Sequence, residues 1–176
     1  MPRSFGALLG ALLLLTGCTG VDPAVYRDAQ PKLDLFRYFD GTVDAWGHFA
    51  DRSGEVVKRF KVEIRGRIEG DALVLDEDFR YADGTTSRRV WTITRSADGR
   101  YRGTAADVVG EAQGVVSGNA LHWTYVLALE VDGSTWNLDV DDWMYLQDAQ
   151  VMLNKSVLRK FGFRVGEVIL AFRRRG

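Results

Sequence analysis

From position 44 onward the chain is a succession of strand-length runs rich in Val, Ile, Thr and aromatic residues, cut at short intervals by Gly-containing turns. This rhythm constrains the fold more than any single motif. In the run 56–68, Phe60, Val62 and Ile64 alternate with Lys61, Glu63 and Arg65, the period of a half-buried strand. Comparable runs occupy 44–51, 72–81, 86–95, 100–107, 108–116, 121–131, 134–146, 151–160 and 163–172. Between them stand Arg52-Ser53-Gly54, Glu69-Gly70-Asp71, Asp83-Gly84, Ala97-Asp98-Gly99, Ser117-Gly118-Asn119 and Asp132-Gly133. The Gly of Asp83-Gly84 accepts the positive φ of a type I′ hairpin turn.

Connections of two to four residues permit only antiparallel pairing of sequence neighbours. The predicted fold is all-β, an up-and-down meander of eight to ten strands. With long strands and no helix to cover them, closure into a β-barrel best removes the exposed edges. A two-sheet sandwich is the alternative, but it usually needs a long crossover. A transmembrane barrel is excluded because Lys58, Arg59, Arg65, Arg67, Arg88 and Arg89 interrupt any uniform lipid-facing band.

Charge and composition exclude two partners. With 23 Lys plus Arg against 24 Asp plus Glu, the formal net charge is -1, too little positive field for nucleic acid. Two His and one Cys leave too few ligands for a Cys/His zinc site.

Residues 1–17 read as an export signal: Arg3 supplies the positive start, and the apolar run through Leu15 is too short to span a bilayer. The run ends in Leu15-Thr16-Gly17-Cys18, which resembles the bacterial lipobox, and the Cys is the chain's only one. The resemblance implies a lipidated Cys18 that becomes the mature N-terminus and holds the protein to a membrane. Several acyl chains anchor stably where one does so marginally. Thr19, rather than Asp, implies the outer membrane under the enterobacterial sorting rule. Residues 18–38 are then the lipidated Cys and a tether, and 39–176 the barrel domain. Within the tether, the segment 33–39 fits either a helical turn or a first strand.

Most chemical motifs dissolve on inspection. Asn137, Asp139, Asp141 and Asp142 alternate like a calcium loop but lack its Gly, and suit a solvated sheet face or ion-pair ladder better. Asp76 and Asp78 share a strand face and read as exposed charge rather than an acid–base pair. His48 and His122 have no accompanying nucleophile motif and suit barrel-wall positions. No catalytic residue, metal site or cofactor is assigned.

The segments Phe39-Asp40-Gly41, Ala45-Trp46-Gly47-His48-Phe49, Asp51-Arg52-Ser53-Gly54, Asp76-Glu77-Asp78-Phe79, Arg89-Val90-Trp91, Asp107-Val108-Val109-Gly110-Glu111-Ala112, Asp141-Asp142-Trp143-Met144-Tyr145 and the run 160–168 resemble the DUF3833 family of bacterial lipoproteins. The resemblance spans nearly the whole mature chain and implies fold and address without an activity. An anchored small barrel with an early Trp and a late Arg is also similar to the bacterial lipocalins of the calycin superfamily. That likeness implies closure of one end by Trp46 against Arg164 or Arg173, although Trp46 follows Gly41 by five residues instead of two.

The aromatic load, 5 Trp, 6 Tyr and 9 Phe, fits either a filled core or an apolar cup. The cup reading makes Trp46, Trp91, Trp123, Tyr125 and Trp136 candidate ligand contacts. The hairpin around Asp132-Gly133 places Leu121, Trp123, Tyr125, Leu127 and Leu129 beside Trp136, Leu138 and Val140 if the register agrees. The expected function is therefore a non-enzymatic, outer-membrane-anchored periplasmic lipoprotein that binds or carries a fatty acid or other lipid. The alternatives are an envelope assembly module that presents its barrel surface to a protein partner, and a lipid-modifying enzyme using His48 or His122.

Overall fold

The computed structural model describes residues 20–131 and 133–176, so the expectations for residues 1–17, Cys18 and Asp132 lie outside the described residues. Ten strands run in order: β1 (Gly41–Asp51), β2 (Val56–Glu69), β3 (Ala72–Tyr81), β4 (Thr86–Arg95), β5 (Tyr101–Thr104), β6 (Val108–Ser117), β7 (Ala120–Val131), β8 (Ser134–Leu146), β9 (Val151–Lys160) and β10 (Phe163–Arg174). Each pairs antiparallel with its sequence neighbours, and β10 returns to β1, so the sheet is a closed up-and-down barrel. The strand limits follow the sequence rhythm closely except at β5. There the chain leaves the ladder after Thr104, and Asp107 becomes a bridge: its carbonyl accepts from the Ala128 amide at 2.8 Å and its carboxylate takes Arg89.

Alternation sorts each strand into an inner and an outer face. On β1, Val43 and Ala45 are buried while Trp46, of the opposite parity to both, is exposed. On β2, Val62 and Ile64 are buried, and Glu63 and Arg65 form outer ion pairs. Arg65 reaches Asp78 at 2.6 Å, Arg88 is held by Asp76 at 2.7 Å, and Arg175 joins Asp44 to Glu63. Such exposed pairs contribute little individually. They mark Asp76 and Asp78 as members of a surface charge ladder, as their strand face suggested.

One end of the barrel is plugged. The segment 33–39 takes the helical option: α1 (Leu35–Phe39) starts at Asp34, whose carboxylate accepts the Arg37 amide at 3.1 Å. Leu33, Leu35, Tyr38 and Phe39 are buried, and Phe39 meets Phe172 edge-on at 5.9 Å. The Tyr38 hydroxyl donates to the Gln150 carbonyl at 2.9 Å, and the Leu33 amide to the Gly118 carbonyl at 2.8 Å. Gly66 makes the plug possible, because a Cβ there would stand 1.7 Å from the Phe39 carbonyl oxygen.

Two expectations change here. Residues 33–38, assigned to the tether, belong to the core of the domain. Even the short 3-10 helix Pro23–Tyr26 lies on the outer wall, where Tyr26 packs edge-on against Trp143 at 5.7 Å and Tyr145 at 5.4 Å. The closure by Trp46 is also corrected. Trp46 shares its face with Asp44 and is 43% exposed, so it points away from the barrel interior. Among the described residues its ring makes no cation–π contact; Arg173 is exposed on that same outer face, and Arg164 pairs with Glu167 at 3.1 Å. The late arginine that does secure this end is Arg174, whose Nη2 donates to the Asp40 carbonyl at 2.8 Å just beyond α1.

Candidate functional site

Ten strands enclose more space than their side chains fill, and the remainder is a cavity of about 550 Å³ above the plug. Its floor is set by Leu35 and Phe39 of α1 with Ile64, Leu75 and Phe172. At the other end, Val57, Lys58, Tyr81, Leu129 and Glu130 form the mouth. The β9–β10 turn beside it carries Phe161, and β10 opens on Phe163; the two are 87% and 78% exposed.

The β7–β8 hairpin supplies the predicted apolar wall. Leu121 faces Met144, Trp123 faces Asp142, Tyr125 faces Val140, Leu127 faces Leu138 and Leu129 faces Trp136, so both inward sets lie side by side. Of the five candidate ligand contacts, Trp91, Trp123 and Tyr125 line the cavity. Trp123 is also packed onto backbone, since Cβ atoms at Gly103 and Gly114 would fall 2.6 and 2.0 Å from its ring. Trp46 and Trp136 do not line it. Trp46 is on the outer wall, and Trp136 lies at the second apolar cluster beneath the Lys160 ammonium, 3.4 Å from its ring centre.

A polar girdle interrupts this apolar interior at mid-depth: Glu77 from β3, Arg89 from β4, Tyr125 from β7, Asp142 from β8, and Asn154 and Ser156 from β9. Asp142, Asn154 and Ser156 are buried at 5%, 4% and 5% exposure. Asn154 donates to both the Asp142 carboxylate and the Trp143 carbonyl. Arg89 gives two N–H bonds, 2.9 and 2.6 Å, to one oxygen of Asp107, whose other oxygen is buried without a partner. Glu77 stands opposite Arg89 in the β3–β4 ladder yet makes no hydrogen bond or ion pair among the described residues. Its remaining exposure faces the cavity rather than bulk water.

Burial has the expected consequence for these acids. Loss of solvation pushes the Glu77 carboxyl up to about 7, with Arg89 opposing and the carboxylates of Asp107, Asp142 and Asp76 adding. Burial likewise raises Asp142 to about 7 against the hydrogen bonds from Asn154 and Ser156. The Tyr125 hydroxyl is raised too, first by burial and then by Asp142.

The inward acids were readable in principle. Leu73, Leu75, Glu77, Phe79 and Tyr81 form one alternate set, and Leu138, Val140, Asp142, Met144 and Leu146 another. A carboxylate within an otherwise apolar inward set is the signal. The acidic run on β8 is split across the wall by the same parity: Asp141 meets His122 at 2.9 Å and Arg159 at 3.5 Å outside, while Asp142 points in. The run cannot converge on one ion. His122 stacks on Trp143 at 4.2 Å, and neither it nor His48 lines the cavity.

The family model described as "Protein of unknown function (DUF3833)" matches residues 12–174. The chain belongs to the DUF3833 family. No curated protein matches it in sequence. Among solved structures, this DUF3833 chain is similar to the S-type phycobiliprotein lyase CPES from Guillardia theta, with a TM-score of 0.59 and 6% identity over 80% of this chain and 90% of that one. A de novo designed fluorescence-activating β-barrel gives a TM-score of 0.42 at 14% identity, covering 81% of this chain and 99% of the design. Lobster apocrustacyanin A1 gives 0.37 at 12%, covering 78% and 61%. At 6% identity the likeness to the lyase is one of fold alone; this chain is a closed, single-walled antiparallel barrel.

Proposed function

We propose that this DUF3833 protein is an outer-membrane-anchored periplasmic lipoprotein that binds or carries a hydrophobic small molecule, a fatty acid or another lipid. The observation that carries the reading is the cavity of about 550 Å³, lined mostly by apolar side chains, open at one end and plugged at the other. An interior left open at this size has the volume and lining of a small-molecule site. A barrel that served only as an assembly surface would have no use for it, and filling it with side chains would add stability.

The chain joins the wall beside Gly118, at the plugged end, and Asp22 stands only four positions after Cys18, a reach of about 14 Å. A lipidated Cys18 therefore holds the plugged end nearer its membrane and leaves the mouth directed away from that surface. Cys18→Ser should abolish incorporation of labelled fatty acid and release the chain from membranes; unchanged label would refute the anchor.

For binding, Trp91 and Trp123 line the cavity and report on its contents. A twelve-carbon amphiphile should change the tryptophan fluorescence of the full chain carrying Cys18→Ser saturably, at one molecule per chain. Leu127→Trp, which places bulk into the cavity, should abolish the change while the chain stays folded by circular dichroism. Equal responses in both proteins would place the binding outside the barrel.

A further inference from the structure

The chemistry of the girdle selects the ligand's polar group. Its charged members are Glu77 and Asp142 against a single guanidinium, Arg89, and that guanidinium already spends two N–H groups on Asp107, which does not line the cavity. No other cation faces this level among the described residues: β2 contributes Phe60 and Val62, β10 contributes Leu170, and Lys58 stands at the mouth beside Tyr81, 4.1 Å from its ring centre. The uncharged members, Tyr125, Asn154 and Ser156, are not free donors in equal measure, since Asn154 is committed to Asp142 and Trp143. Glu77 is left as an acceptor with no protein donor among the described residues, directed into an apolar cavity. Buried acceptors without donors are costly, and a ligand that brings a donor removes that cost.

Resting on the small-molecule reading above, we infer that the molecule this cavity accepts is a hydrophobic amine: an apolar body whose ammonium group sits between Glu77 and Asp142. A long-chain carboxylate placed at the same depth would be a third anion beside two. The amine instead supplies up to three N–H donors and neutralises the girdle, while its chain occupies the apolar floor. Ionisation of Glu77 and Asp142 near neutrality makes the preference pH-dependent. Amine affinity falls on acidification below about 7, as the carboxylates take up protons.

The experiment is a calorimetric titration of the full chain carrying Cys18→Ser, at pH 8 and 5.5, with dodecylamine, 1-dodecanol and dodecanoate below their micellar concentrations. At pH 8 the amine should bind one to one and at least tenfold tighter than dodecanoate, with the margin shrinking at pH 5.5. Glu77→Gln and Asp142→Asn should each weaken amine binding at least tenfold and leave dodecanol within about twofold. Dodecanoate binding as tightly as the amine, or an amine preference unchanged in both variants, would overturn the inference while leaving the lipid-binding reading intact. Binding of none of the three would overturn both.

Discussion

Replacing Glu77 by Gln removes a charge the fold holds at a cost, so the substitution should stabilise the protein, and only above a defined pH. Burial raises the Glu77 carboxyl from the ordinary 4.5 to about 7, two and a half tenfold steps in proton affinity. At about 1.4 kcal/mol per step, ionised Glu77 costs the folded state about 3.5 kcal/mol. The native state binds the proton more tightly than the unfolded chain, so wild-type stability from this group falls as pH rises from 4.5 to 7. Above 7 the penalty is fully present, and below 4.5 it is absent. Gln keeps the shape without the charge. The Gln variant should therefore match wild type near pH 4 and exceed it by up to about 3.5 kcal/mol at pH 8, which for a domain of this size is roughly 7–14 °C in Tm. Asp142, raised to about 7 by the same cause, remains in both proteins, and its repulsion of Glu77 is part of the penalty the Gln variant removes. Urea unfolding followed by tryptophan fluorescence at pH 4, 6 and 8 measures it. A variant that is destabilised, or whose advantage is the same at all three pH values, would refute a buried and unpaired Glu77.

Two further substitutions test the wall and the plug. Gly66→Ala should cost about 3 kcal/mol and raise hydrogen exchange across α1, because its Cβ would meet the Phe39 carbonyl at 1.7 Å; wild-type protection would show that α1 does not rest there. Trp123→Ala should cost about 3–5 kcal/mol, whereas Trp46→Ala, on the outer wall, should cost no more than about 1 kcal/mol. Equal losses in thermal melts would contradict the assignment of their faces.

The barrel was legible because its evidence is local. Alternation in 56–68 and Gly-containing turns at 83–84 and 117–119 each specify a strand or a reversal without reference to the rest of the chain, and short connections leave antiparallel neighbours as the only pairing. The register of β7 on β8 followed from the same hairpin logic. The plug was not legible, since five helical residues carry no periodic signal and Leu35 and Phe39 are buried only by docking into the barrel core, Phe39 against Gly66 and Phe172. Trp46 was misplaced by analogy: its parity with Asp44 and His48, opposite to Val43 and Ala45, already set it outside. Glu77 was overlooked between Asp76 and Asp78 because three successive acids read as solvated charge. Alternation places the outer two in the surface ladder and the middle one in the cavity, and that inversion is the basis of the proposed site.

The central claim is that the barrel holds one hydrophobic molecule in its interior, and native mass spectrometry tests it most directly. The chain carrying Cys18→Ser, incubated in turn with dodecylamine, 1-dodecanol and dodecanoate and sprayed from a volatile buffer, should carry a single adduct of at least one of them per chain. Leu127→Trp, with the cavity partly filled, should carry none. A chain that retains no adduct, or a Leu127→Trp variant that retains as much as the parent, would contradict an occupied interior.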